Sequence, residues 1–349
     1  MRRAVICLLS LSWALCSCED NKPVKYSDLN FTEEINLYGE LLNDSFLFNS
    51  PQDIFICDSM LVIYDNNTQE IIHIFSRNGL YKKSAVKRGR GPGEILTASS
   101  VDIIDNKILV CDPNLKRLVL YDLDNIINDS ISHHIKEYIL TDSPHWVSQA
   151  KWYNNDHIVV KGNGVEMRYG IWEENKVIPT YSDYCLSALD AEENRAIWDY
   201  FAQWKIKPDN SKMVTTTYVG AMIEILSCDD ITNVHSEKLL SLHKPVYNLA
   251  EGAKPKWITP SDDTTMGFED LHVTDNYIYA LIYGVNINDM EATFPSIYVL
   301  SWDGKPVLKY MFSERIMAFG VDDTDSVIYA VVTNGKNVFL KKYQIHTQI

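Results

Sequence analysis

The stretch IFICDSMLVIYDNNTQEIIHIFSRNGLY, residues 54–81, carries the pattern that decides the fold. Three runs of apolar and aromatic residues are separated by polar turns, which include Asp58-Ser59 and Asn78-Gly79. Short runs of this kind bounded by turn residues are typical of β-strands. Asn-Gly between two such runs favours a hairpin, because both central positions of a two-residue turn need a positive φ. The stretch therefore predicts consecutive antiparallel strands.

The first part of this pattern, an apolar run, an Asp/Asn turn and a second apolar run, recurs along the chain in six copies. The six turns are Asp58-Ser59, Asp105-Asn106, Asn154-Asn155-Asp156, Pro208-Asp209-Asn210, Asp275-Asn276 and Asp323-Thr324-Asp325. The second runs begin near Leu61, Ile108, Ile158, Met213, Ile278 and Ile328, at intervals of 47, 50, 55, 65 and 50 residues. Because a four-stranded propeller blade occupies roughly 40 to 50 residues, this spacing predicts an all-β, six-bladed β-propeller. A β-sandwich with a second domain is the alternative that regular strand spacing also allows.

The last copy of the pattern lacks one strand, since the chain ends shortly after the run from Val338 to Ile345. An incomplete blade would leave an exposed sheet edge, which propellers avoid by closing the ring. The segment Phe31 to Leu37 precedes the first copy and belongs to no blade. We expect this N-terminal segment to complete the last blade, so that the propeller occupies residues 31–349.

The N-terminus has the pattern of a lipoprotein signal. Arg2 and Arg3 precede an apolar segment, Ala4 to Leu15, that is too short for a membrane anchor. The following Leu15-Cys16-Ser17-Cys18 resembles a lipobox, which predicts a signal peptide over residues 1–17 and acylation of Cys18. Residues 18–30 would then be the acylated cysteine and a polar tether. An ordinary secretory signal with incidental cysteines is the alternative.

This N-terminal pattern places the expected protein in the cell envelope, anchored by lipid to the outer membrane and facing the periplasm or the outside. The net charge is −15 for the whole chain and near −17 without Arg2 and Arg3. So acidic a surface argues against binding nucleic acid or anionic lipid through overall charge. Four cysteines remain after Cys18, and they lack the spacing of a disulfide scaffold or a zinc site. We expect Cys57, Cys111, Cys185 and Cys228 to be free thiols, with disulfides as the alternative.

The sharpest local motif is Arg88-Gly89-Arg90-Gly91-Pro92-Gly93-Glu94, in the connection between the first two predicted blades. Its glycines permit close backbone approach, and two arginines are suited to holding a carboxylate or a phosphate. The alternative is a tight loop whose arginines pair with neighbouring carboxylates. We expect the loop to lie near the central channel.

This Gly-Pro-Gly-Glu loop, the lipoprotein leader and the six repeats together resemble the TolB-like six-bladed propeller lipoproteins of Bacteroidetes. The resemblance covers essentially the whole mature chain. It implies the fold and a location in the cell envelope, and it implies no catalytic residue.

Two functional hypotheses follow from the candidate residues. The first is a binding protein for a glycan, a small molecule or an envelope protein. Its longer loops, Leu186 to Asp199, Tyr247 to Phe268 and Val285 to Pro295, would share one face of the ring. Its expected contacts are Arg88, Arg90, Glu94, Trp146, Trp198, Trp257, Glu269 and Asp270.

The second hypothesis is a propeller hydrolase, lactonase or lyase. It would use carboxylates at the channel mouth, Glu94, Glu269 and Asp270, with His145 or His272 and a divalent cation such as calcium. The sequence contains no zinc-protease or nucleophile-elbow motif, and the aspartates at 322, 323 and 325 are explained by turn chemistry. Because no complete catalytic set is present, the sequence favours the binding protein, with no metal or cofactor.

Overall fold

The computed structural model describes residues 28–128, 134–140, 146–164, 167–173, 176–181, 202–249 and 258–346. These residues form 27 strands, one α-helix, α1 (Leu123–Asn128), and one 3₁₀-helix (Ile287–Ala292). Within these ranges, no helix has both the length and the hydrophobicity needed to cross a membrane. The predicted signal peptide, Cys18 and most of the predicted tether lie outside the described residues.

Six antiparallel four-stranded units form the blades, each running from an inner strand at the channel to an outer strand at the rim. Blade 1 contains β3 (Ser50–Cys57), β4 (Met60–Asn66), β5 (Glu70–Ser76) and β6 (Tyr81–Lys87). Blade 2 contains β7 (Ser100–Ile104), β8 (Lys107–Asp112), β9 (Arg117–Asp122) and β10 (His134–Ile139). Blade 3 contains β11 (Val147–Trp152), β12 (Ile158–Gly164), β13 (Met167–Glu173) and β14 (Lys176–Tyr181). Blade 4 contains β15 (Ala202–Ile206), β16 (Lys212–Thr217), β17 (Met222–Ser227) and β18 (His235–Ser241). Blade 5 contains β21 (Phe268–Val273), β22 (Tyr277–Ile282), β23 (Ser296–Ser301) and β24 (Pro306–Met311). Blade 6 contains β25 (Arg315–Val321), β26 (Val327–Thr333), β27 (Val338–Gln344) and β2 (Glu40–Asn43). The remaining strands are β1 (Glu34–Asn36) and the two-stranded pair β19 (Asn248–Leu249) and β20 (Ile258–Thr259).

The six predicted Asp/Asn turns all join the first strand of a blade to the second. Several of their residues take the left-handed backbone conformation, with φ of 45° at Asp58, 62° at Asn210 and 54° at Asp325. Asn and Asp tolerate this conformation better than other non-glycine residues, which explains why they recur there. The predicted six-bladed propeller with four-stranded blades is confirmed.

The ring is closed by an N-terminal strand, as predicted, but this strand lies a few residues farther along the chain than Phe31 to Leu37. The closing strand β2 pairs antiparallel with β27, whereas β1 pairs parallel with β24 and adds a fifth strand to blade 5. Ile35 and Leu37 place their apolar side chains in the core between blades 5 and 6. The alternation of Ile35 and Leu37 therefore correctly indicates a strand, but this strand belongs to blade 5 rather than to blade 6.

Apolar side chains fill the interfaces between blades, as Tyr310, Phe319 and Tyr343 do between blades 5 and 6. The interface between blades 3 and 4 also contains an ion pair, Arg168 with Glu224, at 2.6 Å with both side chains fully buried. Burial of this kind is costly for charges unless they are paired. The pair therefore fixes the contact between two neighbouring blades.

Three of the four cysteines lie among the described residues, and all three are free thiols. Burial raises the pKa of Cys57, Cys111 and Cys228 to about 12 in each case. The thiolate is the reactive form of cysteine, so these groups are structural and unreactive near neutral pH. Cys185 lies outside the described residues.

Candidate functional site

The strand directions divide the ring into two faces. The tight turns between first and second strands lie on one face, which we call the turn face. The connections between blades and the loops between second and third strands lie on the other, which we call the loop-rich face. The predicted insertion Val285 to Pro295 lies on the loop-rich face and contains the 3₁₀-helix. Leu186 to Asp199 lies outside the described residues, as does part of Tyr247 to Phe268.

A cleft of about 850 Å³ opens on the loop-rich face between blades 5, 6 and 1. Its walls come from the starts of three inner strands and from the loops of blades 5 and 6. The lining residues are Ser50, Pro51, Gln52, Glu269, Glu291, Phe294, Ser313, Glu314, Arg315, Ile316, Met317, Thr333, Asn334 and Gly335. Its volume falls in the range of small-molecule sites, roughly 300 to 1,000 Å³. We call it the blade 5–6–1 cleft.

The loop of blade 5 is held firmly against the body of the propeller. Asn286 caps the 3₁₀-helix by accepting a hydrogen bond from the Asn288 amide at 2.9 Å, and its Nδ2 donates to the Asp262 carbonyl at 2.7 Å. Met290 anchors the helix in an apolar cluster with Met266 and Tyr283. Because the loop is anchored, Phe294 is presented on the cleft wall with 53% of its surface exposed.

The floor of the cleft combines a carboxylate, Glu269, with a guanidinium, Arg315, which packs on the ring of Tyr283. A β-bulge between Phe268 and Asp270 makes Glu269 the extra residue of β21. Burial raises the pKa of Glu269, and the nearby Arg315 charge opposes this shift. The Arg315 guanidinium lies over the Tyr283 ring at 5.4 Å.

Glu269 Oε2 and the Tyr283 hydroxyl are shielded from solvent. They share a side-chain hydrogen bond, which raises the pKa of Tyr283 and opposes the rise in the pKa of Glu269. Buried polar atoms are normally paired, and this contact pairs the carboxylate with the phenol.

The central channel is filled by a separate ionic network. Its members, one from each of the first five blades, are Asp53, Asp102, Lys151, Lys205 and Asp270. Lys205 forms an ion pair with Asp53, which belongs to the opposite blade, and Lys151 lies 3.9 Å from Asp102. Asp270 accepts hydrogen bonds from the Leu271 amide at 2.7 Å and the Phe319 amide at 3.2 Å. The network therefore closes the channel between opposite blades.

Burial and neighbouring charges both shift the pKa values of groups in and beside this network. Burial raises the pKa of Asp270 well above its usual value, with the Asp53 carboxylate adding to the shift and Lys205 opposing it. Burial also lowers the pKa of His272 to about 4, so this imidazole is neutral at pH 7. On the turn-face side, the network borders a cavity of about 280 Å³ lined in part by Lys151, Lys205 and His272.

The Arg88-to-Glu94 loop lies against the outer strands of blade 2, so the expectation that it lies near the channel is corrected. The Gly93 amide donates to Glu137 of β10 at 2.6 Å, and the Arg117 guanidinium of β9 donates to the Gly91 carbonyl at 3.1 Å. Glu94 accepts from the Gly91 amide at 2.8 Å. The glycines serve close packing against blade 2, which the sequence alone does not distinguish from close approach to a ligand.

Arg88 is likewise engaged within the protein. Its Nη1 donates to the Leu96 carbonyl at 2.9 Å and its Nη2 donates to Asn66 Oδ1 at 3.0 Å. Arg88 therefore links the connection between blades 1 and 2 to the β4–β5 loop by hydrogen bonds. Arg90 is exposed at the rim.

The tryptophans proposed as ligand contacts are not all described. Trp146 lies before β11 on the loop-rich face, where it is exposed and has Lys116 Nζ 6.0 Å from its ring. It belongs to the side of the ring near blades 2 and 3, away from the blade 5–6–1 cleft. Trp198, Trp257 and His145 lie outside the described residues.

The residues named for the enzyme hypothesis do not converge on one point. Glu94 lies at the rim between blades 1 and 2, Glu269 lies in the cleft, and Asp270 and His272 lie inside the channel. Across the described ranges, no group of three or more His, Cys, Asp or Glu side chains is arranged to hold a metal ion. The cleft residues Arg315 and Phe294 were not among the sequence candidates, although the length of the 285–295 insertion pointed to the loop that carries Phe294.

Comparison with known proteins agrees with the architecture. The sequence profile of the family described as TolB-like 6-blade propeller-like matches residues 30–324. The chain belongs to this family. No curated protein matches the sequence.

Two similar solved structures come from Bacteroides. A presumed exported protein of Bacteroides fragilis is 10% identical, with a TM-score of 0.53 over 88% of this chain and 94% of that one. A member of the DUF4221 family from Bacteroides vulgatus is 13% identical, with a TM-score of 0.53 over 91% of this chain and 98% of that one. At such identities, the similarity to this TolB-like propeller is one of fold.

Proposed function

We propose that this TolB-like propeller is a lipoprotein of the cell envelope that binds a neutral oligosaccharide or a similar polyhydroxylated molecule in the blade 5–6–1 cleft. The observation that carries the proposal is the cleft itself, about 850 Å³ with an exposed aromatic ring on a firmly held loop. Aromatic rings with one accessible face provide apolar contact area at a small entropic cost.

The chemistry of the lining favours a neutral, hydroxyl-rich ligand. Glu314 is paired with Lys341, and the carboxylates of Glu269 and Glu291 outnumber the one guanidinium of the lining, Arg315, so the cleft does not favour an acidic ligand. Ser313, Thr333 and Asn334 add neutral donors and acceptors at the edge of the cleft. Carboxylates, amides and hydroxyls beside an exposed ring suit a sugar, which has both hydroxyl groups and an apolar face.

A binding test can separate the cleft from the rest of the surface. We expect titration calorimetry with a panel of neutral oligosaccharides to identify a ligand, and Phe294→Ala to weaken its binding about five- to tenfold. Glu269→Gln should also weaken binding, because the floor would lose a charged acceptor. Ile178→Ala is the matched control, since Ile178 is an exposed apolar residue of blade 3. Equal affinity for all three variants and the unaltered chain would reject the cleft as the site.

The envelope location is supported by the leader and by Cys18 after Leu15 and Ser17. The similar Bacteroides fragilis protein, described as exported, is consistent with it. We expect metabolic labelling with palmitate to mark the protein and Cys18→Ala to abolish the label. Cys16→Ala is the control, because bulky Leu15 precedes Cys16 and small Ser17 precedes Cys18. Label retained in the Cys18→Ala variant would contradict the proposed anchor.

A further inference from the structure

Exposed apolar side chains are concentrated at one part of the propeller rim. Five of the eleven large hydrophobic residues that are exposed within the described ranges lie between positions 38 and 81. They are Tyr38, Leu41, Leu47, Leu80 and Tyr81. We call the part formed by Leu41, Leu47, Leu80 and Tyr81 the apolar rim. Contiguous exposed apolar groups on a soluble protein usually mark an interaction surface.

Contacts between the closing strand and blade 1 bring these residues together. Asn43 Nδ2 at the end of β2 donates to the Gly79 carbonyl at 2.9 Å, next to Leu80. Phe46 stacks on the Tyr81 ring at 5.0 Å, which places its neighbour Leu47 beside the same outer strand. The apolar rim therefore spans the junction of blades 6 and 1.

Leu47 is held outward by a well-ordered loop. Asn43 Oδ1 accepts hydrogen bonds from the amides of Ser45 at 3.0 Å and Phe46 at 2.9 Å. At the other end of the loop, the Asn49 amide donates to Asp65 at 2.8 Å. Phe46 and Phe48 pack inward against Phe75, while Leu47 between them is 88% exposed. The loop thus presents a leucine at a fixed position.

Basic residues on β6 and β27, together with the exposed carboxylate of Asp44, border the apolar rim in an otherwise acidic protein. Strands β6 and β27 together contain five lysines and no aspartate or glutamate. Lys341 and Lys342 are paired with Glu314 and Glu40, whereas Lys82 and Lys87 on β6 are exposed. Exposed charges act mainly within about 8 Å at physiological salt, so the exposed lysines beside the rim matter more to docking than the net charge of −15. Aliphatic and aromatic tips next to lysines suit the headgroup region of an anionic bilayer.

The path of the N-terminal chain points to the same side of the molecule. Phe31 packs on Tyr298 of blade 5 at 4.6 Å, after which the chain follows β24 and then β27 before reaching Leu47. Residues 18–27 span at most about 35 Å when fully extended. A lipid on Cys18 would therefore keep this side of the ring close to the membrane.

We infer that the apolar rim docks onto the surface of an anionic lipid bilayer, so that the propeller lies with the junction of blades 6 and 1 against the membrane. The position of the tether depends on the proposed lipid anchor at Cys18, whereas the composition of the apolar rim is independent of that anchor. Docking in this orientation leaves blades 2 to 4 turned toward solvent.

Vesicle binding by the chain that begins at Glu19 tests the inference without the lipid anchor, and this chain retains every described strand. We expect co-sedimentation with vesicles of phosphatidylethanolamine and phosphatidylglycerol, and much weaker co-sedimentation with phosphatidylcholine alone. Leu47→Glu combined with Leu80→Glu should weaken binding about tenfold or more, and Lys82→Glu with Lys87→Glu roughly threefold. Ile178→Glu with Leu249→Glu is the matched control and should leave binding unchanged.

The result that would overturn the inference is a lack of binding by the unaltered chain, or equal binding by the Leu47/Leu80 and control variants. Circular dichroism of each variant checks that the fold is retained. Sedimentation velocity tests whether a second copy of this chain covers the apolar rim instead of lipid. A dimer that Leu47→Glu converts to a monomer would assign the apolar rim to self-association and would reject docking on lipid. Phe294→Ala should bind vesicles normally, so failure of the oligosaccharide proposal and failure of this one are distinguishable.

Discussion

At the scale of single residues, the glycines of the Arg88-to-Glu94 loop illustrate how backbone geometry and packing combine. Gly93 has φ of +66°, and a Cβ added there would lie 2.4 Å from His134 Nδ1. Gly335 has a similar φ of +85°, but a Cβ there would meet nothing within 4 Å. The two positions therefore share the cost of a left-handed backbone and differ in the space around it.

The comparison of these glycines gives a prediction. Gly335→Ala should lower the free energy of unfolding by about 1 to 2 kcal/mol through backbone strain alone. Gly93→Ala should lower the free energy of unfolding by about 1 to 2 kcal/mol more than Gly335→Ala. The added methyl group must displace the His134 side chain of β10, and the loop cannot move aside because Glu137 and Tyr121 hold Gly93 by hydrogen bonds. Urea denaturation of both variants measures the difference. Equal losses would show that the loop moves freely over blade 2.

His73 gives a pH-dependent prediction at the same scale. Burial lowers its pKa from 6.5 to about 4, while Nδ1 lies 2.7 Å from Ser84 Oγ. Between these two pKa values the unfolded chain binds a proton that the folded chain does not, so this contribution to stability is present above pH 6.5 and is lost as the pH falls. From about pH 7.5 to about pH 5 the loss is about 2 kcal/mol.

The test compares the unaltered chain with His73→Gln at both pH values. The stability advantage of the unaltered chain should shrink by about 2 kcal/mol on acidification, because the variant has no imidazole to protonate. Raised carboxyl pKa values away from His73, such as that of Glu269, act in the opposite direction in both proteins and cancel in the difference. The Asp65 carboxylate lies 3.8 Å from His73 Nε2, so Asp65→Asn in both backgrounds removes its contribution. A constant difference across the range would mean that His73 titrates normally in the folded protein.

At the scale of strands and loops, Asn43 connects the closing strand to blade 1. Its side chain accepts from two backbone amides and also donates to Gly79. Asn154 makes the same pair of backbone contacts, to Asp156 and His157, without a link to another blade. We expect Asn43→Ala to cost about 1 kcal/mol more than Asn154→Ala, the contribution of one additional hydrogen bond. Thermal denaturation of the two variants measures this, and an equal loss would remove Asn43 as a link between blades.

The strands themselves were largely predictable, since apolar runs and Asp/Asn turns are local features. The six turns and the missing last strand follow from residues within a few positions of one another. The assignment of Phe31 to Leu37 to blade 6 was wrong because the local pattern identifies a strand but not the sheet that accepts it. The decision depends on Ile35 and Leu37 finding a core between blades 5 and 6, which is a long-range contact.

At the scale of the whole molecule, the candidate site could be predicted only in part. The face was predictable because chain direction in a propeller places insertions together. The cleft was not, since it joins Gln52, Glu269, Phe294 and Arg315, which are far apart in sequence and share no motif. The glycine loop was misplaced for the same reason, because its partner Glu137 lies 44 positions away from Gly93.

The ionic network of the channel is the feature that belongs most clearly to the ring as a whole. Lys205 and Asp53 are 152 residues apart, and their pairing connects blade 4 with blade 1. Lys205→Met would leave Asp53 and the neighbouring Asp270 without their shared counterion in a site shielded from water. Loss of one partner of a buried ion pair typically lowers the free energy of unfolding by about 3 to 5 kcal/mol. By contrast, Lys207→Met removes an ion pair with Asp209 at the edge of the same strand, which should cost about 1 kcal/mol or less.

The pH dependence of the Lys205→Met variant distinguishes loss of a counterion from loss of packing. Carboxylates left without a cation are neutralised in acid, so the variant should be closer in stability to the unaltered chain at about pH 5 than at about pH 8. Adding Asp53→Asn should restore part of the stability, because the uncompensated charge is then removed. Urea denaturation at the two pH values measures both effects. If Lys205→Met and Lys207→Met cost the same and neither depends on pH, the channel network does not hold opposite blades together.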